Sequence, residues 1–256
     1  MKYLLLLLSF FLFSNSAHVD SLNSKVNIDL KETEEEKVTL AKKVMAFDAY
    51  AESFYDCLNN KKLNYKMFVD GLKGYYSMKS KGKLTNSKYL TLVDYTKASN
   101  KNRIFIIDMA KKKLVKKNII AHGKNSGGLY AKEFSNESES RMSSLGFFTT
   151  GVIYNGKYDY SLKLHGLEYS NNNVFERGVV MHSADYATKE FLKENGGVLG
   201  RSFGCPVIPH KDYKKTVDLI KGGSCFFIYG KDKKYFKKST YLKTKNFIDS
   251  FYQDFE

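Results

Sequence analysis

The 256-residue chain carries 42 Lys and Arg against 27 Asp and Glu, a formal net charge of +15, with 43% hydrophobic and 15% aromatic residues. That apolar content excludes a chain disordered throughout and provides for one substantial domain with an N-terminal addition. The basic excess draws polyanions, but no zinc-finger spacing or RNA-binding signature accompanies it, so nucleic acid is excluded as a partner; the charge reads either as affinity for anionic envelope polymers or as a solubility bias.

Residues 1–17 have the form of a signal peptide: Lys2 at the positive end, a predominantly apolar run over residues 3–13, then small residues Ser14, Ser16 and Ala17. The apolar run is short for a membrane span, so the expected mature protein is exported to the periplasm or cell envelope, with no stable membrane span after cleavage; the alternative is an uncleaved N-terminal anchor. Residues 18–64 form a polar segment and an amphipathic helix. Thr33 and Glu36 have capping-box spacing, and Leu40, Val44, Phe47, Ala51, Phe54 and Leu58 recur every three or four residues. A second helix is expected from Tyr65 to about Lys79.

From Leu84 the pattern changes to short runs of β-branched and aromatic residues, giving strands over residues 89–94, 103–108, 113–120, 147–154, 160–164, 178–181 and 225–229. Asn155-Gly156 signals a hairpin. Residues 133–144, rich in Ser and Glu, read as an exposed loop, either a flap near a groove or ordinary surface. Short helices are expected over residues 187–194 and 211–220, the latter closed by Gly222. The domain spans residues 65–230, and residues 231–256 form a basic C-terminal extension.

The chemistry concentrates at Arg201-Ser202-Phe203-Gly204-Cys205-Pro206, with His182 closing an apolar run upstream. A thiol needs a base or a positive neighbour to become a nucleophile. The offset of 23 between His182 and Cys205 is enough chain to leave a strand, form a helix and return. Gly204 allows close backbone approach, and amides around Cys205 could face an oxyanion. The alternative is a buried, inert cysteine beside a structural histidine. Three cysteines leave one unpaired, and a Cys57–Cys225 disulfide would make it Cys205. His, Cys and Asp are too scattered for a zinc site.

His182-Ser183-Ala184 after a hydrophobic run and Gly200-Arg201-Ser202-Phe203-Gly204-Cys205-Pro206 resemble the L,D-transpeptidase catalytic domain family (YkuD type, murein branch). Weaker likeness runs through Leu92-Val93-Asp94-Tyr95, Ser144-Leu145-Gly146 and Leu164-His165-Gly166. The resemblance implies a mainly β fold with helices, a β-sandwich preceded by a helical segment. It implies Cys205 as nucleophile, His182 as base, Ser183 holding the imidazole through its carbonyl, peptidoglycan stem peptides as substrate and no cofactor. Arg201, Ser202, Gly204 and His165 are the expected substrate-binding residues, with bracing of the turn the alternative for Ser202 and a structural role the alternative for His165. Many members carry an arginine shortly after the cysteine. Here Pro206-Val207-Ile208 follows, and Arg201 is the candidate to supply charge from the other side. The alternatives to a transpeptidase are an L,D-carboxypeptidase on the same site and a non-catalytic wall-binding protein.

Overall fold

The computed structural model describes residues 33–157 and 159–254, and the signal-peptide segment lies outside them. The chain divides into two units, residues 1–46 and 47–256. The boundary falls inside helix α1 (Glu34–Cys57). In the first unit the capping box is formed reciprocally: Glu36 N–H donates to Thr33 Oγ1 at 3.2 Å, and Thr33 N–H donates to Glu36 Oε2 at 2.8 Å.

The second unit begins with the apolar end of α1, where Phe47, Ala51 and Phe54 are buried. Helix α2 (Tyr65–Ser80) is capped by the Asn64 side chain, which accepts from Met67 N–H. Strands β1 (Tyr89–Asp94), β2 (Ile104–Asp108) and β3 (Lys113–Asn118) follow as an antiparallel meander. Strands β4 (Gly146–Gly156) and β5 (Asp159–Gly166) form the expected hairpin, but Asn155 and Gly156 are its last ladder pairs and the connection comes after them. Then come β6 (Val180–Ser183), α3 (Lys189–Glu194), β7 (Val207–Ile208), α4 (Tyr213–Ile220), β8 (Cys225–Tyr229), α5 (Lys233–Lys238) and α6 (Thr244–Gln253).

All eight strands join one mixed sheet in the order β3-β2-β1-β8-β4-β5-β6-β7, parallel at β1/β8 and β6/β7. The mainly β expectation with N-terminal helices holds. The sheet curls back on itself: Val207 at its far edge bridges Ala121, and Ser202 bridges Gly123, both in the segment after β3. This closure presses the Cys205 turn against residues 121–124.

The central strands β1 and β8 are buried along their whole length, as two-sided coverage requires. Helix α2 lies so close to one face that glycine is needed at the contacts: a Cβ on Gly74 would stand 1.9 Å from the Phe147 ring, and one on Gly71 2.3 Å from Leu92. The segment set apart as a C-terminal extension forms α5 and α6. Helix α6 packs on α2, where the Phe251 ring lies 5.3 Å from Tyr76, and on the buried end of α1, where the Phe247 and Phe251 rings lie 4.7 and 5.1 Å from Phe47, and α5 is tied to the sheet by Tyr235, which donates to buried Glu168 at 2.8 Å. Alternation of apolar residues over such short helices is hard to separate from turn sequence, which is why neither was foreseen.

The Cys57–Cys225 disulfide is not formed. All three cysteines are free, Cys57 exposed at the end of α1 and Cys225 fully buried at the start of β8. No described helix is long and apolar enough to cross a membrane.

Candidate active site

The parallel register of β6 and β7 sets His182 opposite Val207. Counting back two residues on each strand, which keeps to one face, brings Val180 level with Cys205. The atoms agree: Val180 N–H points at Cys205 Sγ at 3.5 Å, and His182 N–H donates to Pro206 O at 3.4 Å. Twenty-two residues of intervening chain, including α3, thus return the cysteine to the strand that carries the histidine.

Ser183 fixes the imidazole. His182 Nδ1 lies 3.0 Å from the Ser183 carbonyl oxygen, and because a carbonyl only accepts, Nδ1 carries the proton and Nε2 is left with a lone pair. Burial lowers the His182 pKa from its ordinary 6.5, the Ser183 carbonyl opposes that, and nearby His210 lowers it further. The ring is therefore neutral near pH 7, the state a base requires. Ser183 Oγ points elsewhere, to His210 Nδ1 at 3.0 Å, and His210 Nε2 lies 3.0 Å from Asp185.

Ser202 braces the turn. Its hydroxyl donates to Cys205 O at 2.7 Å and accepts from Gly204 N–H at 3.1 Å, and its backbone is held by His122 O and Lys124 N–H at 3.0 and 2.7 Å. Gly204 has φ +131°, a region glycine alone adopts readily. A Cβ there would stand 2.9 Å from Met142 O and 3.3 Å from Arg177 Nη2.

Two candidates make their observed contacts with groups other than the thiol. Arg201 is exposed and donates to Gly127 O at 3.3 Å, so its charge falls on the 123–128 segment and on His122. His165 is exposed on β5 and stacks on Phe175 at 5.5 Å. Since Lys163 pairs with Val180 across β5/β6, period two puts His165 on the Val180 and His182 face. A cleft of about 710 Å³ lies beside Ser183 and His210, yet neither His182 nor Cys205 lines it. Ser183 alternates to the opposite face of β6 from His182, so this cleft is behind the imidazole. Among the described residues no cluster of three or more His, Cys, Asp or Glu is assembled to hold a metal ion.

A family model described as L,D-transpeptidase catalytic domain matches residues 59–229. The chain belongs to the L,D-transpeptidase catalytic domain family. Two solved structures are similar: the L,D-transpeptidase from Mycobacterium smegmatis, at 12% identity and TM-score 0.36 with 56% of this chain and 59% of that chain covered, and the L,D-transpeptidase (Yku) from Stackebrandtia nassauensis, at 13% and 0.36 with 72% and 77% covered. The chain thus spans 59% of the first of these. No curated protein matches.

Two parts of this L,D-transpeptidase-family site escaped the sequence reading. The first is the buried end of the 133–144 loop, which reads from sequence as exposed, either a flap near a groove or ordinary surface. Ser143 and Ser144 are buried; Ser143 Oγ donates to Gly204 O at 3.3 Å and accepts from Gly123 N–H at 3.0 Å, so the loop roofs the Cys205 turn. The second is arginine. Only four of the chain's 42 basic residues are arginine, and all four serve this region. Arg103 is fully buried, donates to Ile120 O and to His122 Nδ1, and stacks on Tyr95. Arg141 lies over the exposed Phe203 ring, Arg201 holds Gly127 O, and Arg177 abuts Gly204. A planar five-donor fork is not replaced by lysine where several acceptors must be held at once. Scarce arginine in a lysine-rich chain was the available signal.

Proposed function

We propose that this protein is an exported peptidoglycan L,D-transpeptidase using Cys205 as nucleophile and His182 as base. The observation supporting this reading is the strand register that brings Cys205 beside β6, two residues from an imidazole whose Nδ1 is committed to Ser183 O and whose Nε2 can accept a proton.

His182 Nε2 takes the Sγ proton. The thiolate attacks the carbonyl carbon at the L-centre of a diaminoacyl residue in a stem peptide, and the C–N bond to the terminal D-residue breaks. The D-amino acid leaves with the proton held by His182, and a thioester remains. An acceptor amine gives a proton to His182 and attacks the thioester carbonyl; the C–S bond breaks, the thiolate recovers the proton and an amide crosslink is formed. The residues put forward for substrate contact are Gly204, whose missing side chain lets a substrate approach the turn, and His165 on the same face; Ser202 and Arg201 act on the protein itself. Export rests on Lys2, the apolar run over residues 3–13 and the small residues before residue 18. The basic surface suits anionic envelope polymers as a secondary partner.

The test incubates the mature protein with a tetrapeptide muropeptide, beside a Cys205→Ala control, and reads intact mass and released products. The expected result is a Cys205-dependent acyl adduct with release of the terminal D-amino acid, and a crosslinked product when acceptor is present. Hydrolysed product alone assigns a carboxypeptidase. Neither adduct nor release, in folded protein with reduced thiol, overturns the catalytic reading in favour of a wall-binding protein.

A further inference from the structure

Four acceptors of the roofing loop converge on one guanidinium. Arg177 Nη1 donates to Ser144 Oγ at 2.7 Å and Ser135 O at 3.0 Å, and Nη2 donates to Met142 O at 2.8 Å and Ser140 Oγ at 3.2 Å. None of these is a carboxylate, so the hydrogen bonds hold the group without neutralising it. The same Nη2, and the Met142 carbonyl it holds, are the atoms that a Cβ on Gly204 would meet. Cation, loop and the residue preceding Cys205 therefore form a single contact. Loop residues Glu139 and Arg141 both adopt positive φ, near +55°. That costs roughly 1 kcal/mol or more each in a non-glycine residue, and the fork of hydrogen bonds offsets it.

We propose that Arg177 is a positioning residue of the site, its cation held against the Cys205 turn by the 135–144 loop so that the thiolate at Sγ is favoured.

The groups around the thiol leave Arg177 as the source of positive charge. Burial is the largest influence and raises the Cys205 thiol above its ordinary value. The Val180 N–H, the Arg177 charge and the Cys205 N–H each bring it down. His182 stands two residues along β6 from Val180, whose N–H points at the thiol, and is neutral near pH 7. Tyr95, from the segment after β1, is pushed up to about 12, and Tyr213, from α4, is also raised by burial, so both are neutral hydroxyls. Glu137 and Glu139 act on Arg177 from the loop and temper its charge, and the influence of a Cys205 thiolate on Arg177 is reciprocal. The inference rests on Cys205 being the nucleophile.

The experiment follows carbamidomethylation of Cys205 by iodoacetamide against pH, resolved by peptide mass spectrometry so that exposed Cys57 does not contribute. Wild type, Arg177→Gln and Arg177→Lys are compared, with folding checked by circular dichroism. In Arg177→Gln the midpoint is expected to rise by about 1 pH unit, as loss of a nearby opposite charge dictates, and the rate at pH 7 to fall about tenfold. Arg177→Lys keeps the charge but not the fork that holds it in place, so its midpoint is expected to fall between those of wild type and Arg177→Gln. A folded Arg177→Gln protein with the wild-type midpoint overturns the proposal. Should that variant fail to fold, the equally neutral Arg177→Met decides in its place, and a wild-type midpoint there overturns the proposal. Alkylation needs no substrate, so either of these results leaves the turnover reading standing, and absent turnover on muropeptide bears on that reading alone.

Discussion

Cys225 opens β8 between Leu90 of β1 and Thr149 of β4, sealed from solvent in the middle of the sheet. Cys205 is also buried, at 8% exposure, but stands in the turn before β7 at the sheet's edge. Burial pushes both thiols up, and for Cys225 it is the sole cause, driving the group far above its ordinary value. At Cys205 the same penalty is opposed by two backbone N–H groups and a guanidinium. Low exposure alone thus does not make two thiols alike. What separates them is whether the surroundings stabilise the anion.

The largest effect that can break this contrast is on turnover. Cys205→Ala is expected to lose at least about 10³-fold in kcat on a tetrapeptide substrate, the scale for removing a nucleophile. Cys225→Ala is expected to keep kcat/KM within about twofold and to lose about 1 kcal/mol in urea unfolding, as removal of one buried heavy atom dictates. Equal losses of turnover from the two variants would refute the distinction.

A smaller effect probes the turn itself. Gly204→Ala puts a methyl at φ +131° and against Met142 O and Arg177 Nη2, so either the turn or the roofing loop must move. Roughly 10²-fold in kcat/KM is expected from displacing the nucleophile by about 1 Å, with about 1–3 kcal/mol of stability lost to backbone strain. Steady-state kinetics and thermal unfolding measure the two separately. Wild-type kinetics would show that the turn tolerates a side chain.

Part of this was legible beforehand. Residues 89–94 and 225–229 are runs of β-branched and aromatic residues that only a two-sided sheet can bury, and they match β1 and β8 at both ends. Gly204-Cys205-Pro206 announced a constrained thiol, and His182 at the end of an apolar run announced a rigid imidazole. Val207–Ile208 was not separable as a strand because two residues carry no period, although that strand sets the register on which the site depends. Arg177, and the choice between flap and ordinary surface for the 133–144 loop, were not legible for a different reason. Both turn on contacts between segments some 35 residues apart, and a Ser- and Glu-rich stretch looks solvated until a partner for its hydroxyls and carbonyls is known. Arg201 is the arginine the sequence offers because it is close to Cys205 along the chain, whereas the fold turns it toward Gly127.

The comparison also extends to the wall behind the turn, where the smallest effect is expected. His122 is fully buried, accepts at Nδ1 from Arg103 at 2.8 Å and presents Nε2–H to Gly127 O at 3.2 Å, while its carbonyl holds Ser202 N–H. Burial first, and the Arg103 charge second, depress its pKa from 6.5 to about 3. The unfolded chain takes up a proton near pH 6.5 that the folded protein refuses until about pH 3, so this contribution to stability is complete above pH 6.5 and is lost as pH falls toward 3. The slope in that window is about 1.4 kcal/mol per pH unit for one proton, with His182 adding to it in the same direction. Urea unfolding between pH 7 and 5 measures it, with His122→Gln as the comparison. The variant is less stable throughout, but its pH slope should be shallower by about one proton's worth. An unchanged slope would mean that His122 accepts a proton in the folded state, placing a second cation beside Arg103 and undoing the account of a neutral wall behind a turn whose charge comes from Arg177.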